Sequence, residues 1–212
     1  MVCTKRVLTV MGMLTVLVAF PSSALTLQPN PSDLGDLEHS LYYRWGINIA
    51  PKPDLQILSA QLFIDDIYDW EAERNDILYV HLLDNPQANP LRSGGQPSSR
   101  VSTGTDSENP GDAFAGHGIL LFTYTDDHGG LPSEDISYTF TASDLATLNE
   151  YWKNNGTTDG IFGFGFDPDC HYYNHGISFA CEFGPPPVPE PASLGLLSIG
   201  LAGLALHRRF LE

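Results

Sequence analysis

Residues 167–176 read Asp-Pro-Asp-Cys-His-Tyr-Tyr-Asn-His-Gly, gathering hard oxygen donors, two imidazoles, two phenols and a thiol in ten positions. Calcium takes six to eight oxygen ligands drawn from several loops, and an Asp-x-Asp turn places two carboxylates on one side. Asp167 and Asp169 are therefore the candidate Ca²⁺ pair, with Asp65, Asp66 or Asp69 as partners from a second acidic segment. The twelve-residue ligand pattern of an EF-hand is absent. Without an ion these aspartates are turn formers, and Pro168 sets the turn.

Other chemistries find less support. His171 and His175 are four apart, a spacing that aligns metal ligands only on a helix, whereas Pro168 and Gly176 mark a loop; His117 and His128 join them only by folding. There is no GxSxG, HExxH, P-loop or GxGxxG motif, and acids are too abundant for any pair to stand out as a glycosidase acid and base. Exposed aromatics are the usual platforms for sugar rings; Trp45, Tyr68, Trp70, Tyr172 and Tyr173 are available, most of them expected in core or rim, and Trp70, Tyr172 and Tyr173 are the candidates. Cys170 and Cys181, eleven apart, read as one disulfide in an oxidising compartment. Bridged Cα atoms lie within about 7 Å, so that pairing requires the loop carrying Cys170 to fold back over the strand carrying Cys181.

The elements that must position these residues are mostly strands. Apolar alternation marks strands over 42–49, 55–64, 77–83, 118–125, 136–141, 161–166 and 177–183. Residues 161–166 put Phe162, Phe164 and Phe166 on a core face, and Gly163 and Gly165 on a face open to another backbone or a flat ligand. Ser143 reads as the N-cap of one short helix reaching Trp152. Residues 85–112 are rich in Pro, Gly and Ser and poor in large aliphatics, so they are expected to form a mobile insertion. Many short strands and one minor helix predict an all-β domain, a single jelly-roll-like β-sandwich over 25–187.

That body carries six basic against twenty-four acidic side chains, a formal charge of −18. Phosphate contacts need clustered Lys and Arg, so nucleic acid and anionic lipid are excluded as partners and cations are favoured. Much of the excess acid also serves solubility.

The two ends have a different composition. Lys5 and Arg6 precede an apolar run over 7–20, and Ser22 and Ala24 supply the small residues of a cleavage site, the layout of a secretory signal peptide over 1–24. The tail, 188–212, holds Pro189, Glu190 and Pro191, an apolar run over 192–206, then Arg208 and Arg209. A helix over that run spans roughly 22 Å against a hydrocarbon core of about 30 Å, which suits transient residence in the inner membrane. Positive charge after the run places the C-terminus in the cytoplasm and the body outside.

A Pro-Glu-Pro motif, a short membrane helix and a basic end, in that order, resemble the PEP-CTERM sorting signal. The resemblance implies recognition by an exosortase, cleavage near the motif, and delivery to the cell surface or extracellular matrix of a Gram-negative bacterium. Residues 164–177 are also similar to a segment of other PEP-CTERM surface proteins, which implies a shared fold without an activity. The combined expectation is a secreted protein with a structural or carbohydrate-binding sandwich, its partner an extracellular polysaccharide. The alternative is a secreted polysaccharide-acting hydrolase: close-set buried carboxylates lining a groove would favour it, whereas an exposed aromatic strip would favour binding.

Overall fold

The computed structural model describes residues 23–71, 76–86, 97–106, 111–126, 128–153 and 160–186. Residues 1–22 of the expected signal peptide and the sorting tail with its expected membrane helix lie outside them. Among the described residues no helix is long and apolar enough to cross a membrane.

Ten strands and one helix follow in order: β1 Ser23–Leu27, β2 Leu41–Asn48, β3 Gln56–Asp69, β4 Leu78–Asp84, β5 Ser98–Thr105, β6 Ile119–Tyr124, β7 Glu134–Thr139, α1 Ala142–Lys153, β8 Ile161–Pro168, β9 Tyr172–Tyr173 and β10 Gly176–Gly184. One sheet runs β1-β10-β3-β7 with β9 added to β3, the other β5-β2-β8-β4-β6. The pairs are nested: β1 with β10, β2 with β8, β3 with β7 and β4 with β6, all antiparallel. A chain that pairs its ends first and its middle last across two sheets is a jelly roll. The sandwich is as expected; β5 and β9 are additions to the eight-strand plan.

Inward residues come from strict alternation. Phe162, Phe164 and Phe166 of β8 and Phe179 of β10 are fully buried, and the Phe164 ring lies 5.1 Å from Phe179 and 5.6 Å from Trp45. Each such side chain contributes roughly 1.5–3 kcal/mol through burial. The glycine face of β8 is filled from within: a Cβ at Gly165 would meet the Phe114 ring at 2.8 Å, and one at Gly163 would meet the Trp45 carbonyl and Pro86. No flat ligand has access there.

Three local expectations are corrected. Residues 98–105, inside the stretch expected to be a mobile insertion, form β5 along the whole of β2. An edge strand bonds through its backbone and needs few aliphatic side chains, so hydrophobic content does not reveal it. Second, the cap of α1 is Thr141 rather than Ser143: Thr141 Oγ1 accepts from Asp144 N–H while Asp144 Oδ2 accepts from Thr141 N–H, a reciprocal capping box. Finally, Cys170 and Cys181 are free buried thiols, not a disulfide. Cys181 pairs with Ala60 on β3, whereas Cys170 touches Asp69 at the far end of the same strand. Nine residues at ~3.3 Å each put these positions roughly 30 Å apart.

Candidate functional site

The chemistry-bearing loops converge at the end of the sandwich where β3 and β8 finish. Trp70 N–H donates to His171 O at 3.1 Å, Asp169 N–H to Ile77 O at 2.8 Å and Gly130 N–H to Asp69 O at 2.7 Å. Leu37 and Tyr172 exchange both backbone bonds, joining the entry segment to the same end. The acidic residues gathered here fall into three groups.

The first contains the predicted pair. Asp167 ends the buried face of β8, and its Oδ2 accepts Ala113 N–H at 2.6 Å; Asp169 Oδ1 accepts Gly111 N–H at 2.9 Å. Asp112 lies between those two amides, with Oδ1 accepting Phe114 N–H at 2.9 Å and Oδ2 3.0 Å from His81 Nε2. Residues 111–114 therefore form a strap pinned by carboxylates. Burial first, then the charges of Asp106, Asp169 and Asp112, push the Asp167 carboxyl up to about 7 against the pull of the Ala113 N–H. Its Oδ1 has no hydrogen-bond partner among the described residues, on a side chain 0% exposed.

Asp65 and Asp66 belong to a different place. The ladder between β3 and β7 shifts register between Ile64 and Ile67, so the intervening pair bulges, and Asp66 takes a left-handed φ of 49°. A bulge re-aims side chains. Asp66 Oδ2 meets His175 Nδ1 at 2.9 Å and Oδ1 accepts from Ser133 Oγ at 2.8 Å; these bonds, Ser133 first, hold its carboxyl below the usual range. Asp65, Asp66 and His175 offer ligand atoms within 4.8 Å of one another on the surface. The four aspartates expected to share one ion are thus divided between two places.

Sequence reasoning named Asp69 and Cys170 separately but missed the third group that they form with Asp76. Asp69, Asp76 and Cys170 are buried together, with the Cys170 thiol donating to Asp69 Oδ1 at 2.9 Å. Burial is the largest cause raising the Asp69 carboxyl, with Asp76 adding to it. Asp126 braces the group: its Oδ2 accepts Asp69 N–H at 3.1 Å and its Oδ1 the N–H groups of His128 and Gly129. Nothing in the spacing of Asp76 and Asp126 marks them, because their meeting is made by strand ends from both sheets.

Among the aromatics, β9 separates two neighbours by its alternation. Tyr172 points inward and is 0% exposed, which corrects its assignment as a stacking platform; Trp45 is likewise core. Tyr173 points outward, sandwiched between the rings of Tyr68 at 5.2 Å and His171 at 4.6 Å. Trp70 is 61% exposed, and Leu131, next to the bond between Gly130 and Asp69, is 77% exposed. A separate cleft of ≈ 450 Å³ on the outer face of the second sheet is lined by Tyr42, Arg44, Phe114 and His117, of which only His117 was singled out from the sequence.

The PEP-CTERM protein-sorting motif family matches residues 187–209. No curated protein and no solved structure matches the chain. The tail is thus a PEP-CTERM sorting signal, which makes an exosortase the processing partner and directs the protein through export to the surface of a Gram-negative cell.

Proposed function

We propose that this exosortase-sorted protein is a component of the cell envelope or extracellular matrix whose jelly-roll body binds polysaccharide at the end bearing Trp70 and Tyr173. The observation that carries this reading is Trp70: an indole 61% exposed at the end of a central strand, beside the stacked Tyr68–Tyr173–His171 array. Large aromatics are not left in water without a use as often as they are buried, and their flat faces match the C–H faces of sugar rings. The body's charge disfavours a polyanion unless cations bridge it, so a neutral or cation-bridged glycan is the partner.

Calcium is the ion proposed for this end, held by Asp167, Asp169 and Asp112. Support comes from Asp167 Oδ1, a fully buried carboxylate oxygen without a hydrogen-bond partner among the described residues, near enough to Asp106, Asp169 and Asp112 for their charges to raise the Asp167 carboxyl. Asp65 and Asp66, grouped with His175, offer a weaker surface position. The hydrolase alternative is disfavoured because the buried carboxylates sit against the 111–114 strap and do not line the ≈ 450 Å³ cleft.

The test is co-sedimentation of the exported protein with extracellular polysaccharide from the producing strain, comparing wild type with Trp70→Ala. A lost stack lowers affinity by about tenfold, while the exposed position leaves the thermal midpoint unchanged. Equal binding by the variant, or none by the wild type, would overturn the reading.

A further inference from the structure

Asp69, Asp76 and Cys170 come from three separate places in the chain: the end of β3, the approach to β4 and the turn after β8. β3 lies in one sheet, β4 and β8 in the other, so these side chains meet between the layers. One ligand atom from each lies within 4.8 Å of the other two, and all three residues are buried. A tetrahedral zinc ion, with Zn–S near ~2.3 Å and Zn–O near ~2.0 Å, places its ligand atoms within that separation.

A second observation points to a ligand. Asp69 Oδ2 and Tyr172 Oη belong to side chains that are 0% exposed, and neither has a hydrogen-bond partner among the described residues. Burial first, and then the neighbouring Asp69, Asp76 and Cys170, raise the Tyr172 phenol above its usual range, so the ring lies close to the same cluster. A fully buried carboxylate oxygen left without a partner costs free energy, which a bound cation would recover.

We propose that Asp69, Asp76 and Cys170 bind one divalent cation of zinc type, with the Tyr172 ring close by. The donor set selects the metal: a thiolate excludes calcium and magnesium as natural occupants, whereas zinc accepts sulfur and carboxylate oxygen together. On binding, the Cys170 S–H bond breaks, its electron pair goes to the metal and its proton to solvent; no redox change is involved. Without metal, burial and then Asp69 keep the thiol protonated and bonded to Asp69 Oδ1. The bound ion ties β3 to β4 and β8, giving the sandwich the cross-link that Cys170 cannot make with Cys181. This site is independent of the polysaccharide reading.

The exported protein, stripped with EDTA and returned to zinc or cobalt, supplies the test. Expected are one zinc per chain and, with cobalt, the near-ultraviolet absorption of a thiolate-bound ion. Cys170→Ser abolishes that absorption, Cys181→Ser retains it, and Asp76→Asn weakens binding at least tenfold. If Cys170→Ser does not fold, the wild type and Cys181→Ser still decide. Cobalt bound without the thiolate absorption, or no metal bound, would overturn the proposal, and so would a thiolate absorption lost in Cys181→Ser.

Discussion

Asp144 sets where the helix begins. Burial alone would raise its carboxyl, but bonds from the Thr141 hydroxyl and N–H and from the Tyr138 hydroxyl outweigh it and hold the group below its usual range. A carboxyl depressed in the folded state contributes stability above its unfolded pKa and loses it as pH falls through the folded value. Asp144→Ala is therefore expected to cost about 1 kcal/mol at pH 7, and denaturant unfolding should show that gap narrowing below about pH 4. An unchanged gap at pH 3 would remove the carboxylate from the account. At this scale the sequence is informative about type and weak about place. The acidic character of residues 167–169 and the exposure of Trp70 were legible, but the full burial of Asp167 was not. Their partners were not, since Asp112, Asp76 and Asp126 reach the site only through the folding of distant strands.

The elements were more legible, because alternation alone identifies β2, β4, β6, β8 and β10, each within a residue or two of its expected bounds. β3 runs past its expected end at Ile64 through the Asp65–Asp66 bulge to Asp69, because two adjacent charged residues break the apolar alternation without ending the strand. β5 was hidden by its serines and threonines, and the strap over 111–114 by having no periodicity at all. That strap is where calcium should act. It hangs on Asp167, Asp169 and Asp112, so an ion among those carboxyls fixes it to β8. With the exported protein in EDTA, millimolar calcium is expected to raise the thermal midpoint, and hydrogen exchange at Gly111 and Ala113 should slow; Asp169→Asn should remove both effects. Saturation a hundredfold above Kd corresponds to about 2.7 kcal/mol. No shift on adding calcium would reduce these aspartates to strap anchors.

Across the whole molecule, the nested pairing fixes where the chain enters and leaves. Ser23 pairs with Phe183 and Leu27 with Phe179, so the two ends of the described body lie side by side. Removal of 1–24 would leave Leu25, Thr26 and Leu27 paired with Cys181, Ala180 and Phe179, keeping β10 covered. Gly184 lies opposite Gln56 at the start of β3, and Asp69 ends that strand, so the acidic, Trp70-bearing end is roughly 40 Å from the point where the tail joins. A body held near its tail junction thus presents the acidic, Trp70-bearing end away from that junction. The most direct measurement is the intact mass of the protein recovered from the cell surface, with and without an active exosortase. The account expects a form beginning at Leu25 and ending near Pro191 when the enzyme is present, and retention of the apolar tail when it is absent. A surface form that keeps residues 192–212 in the presence of the enzyme would contradict it.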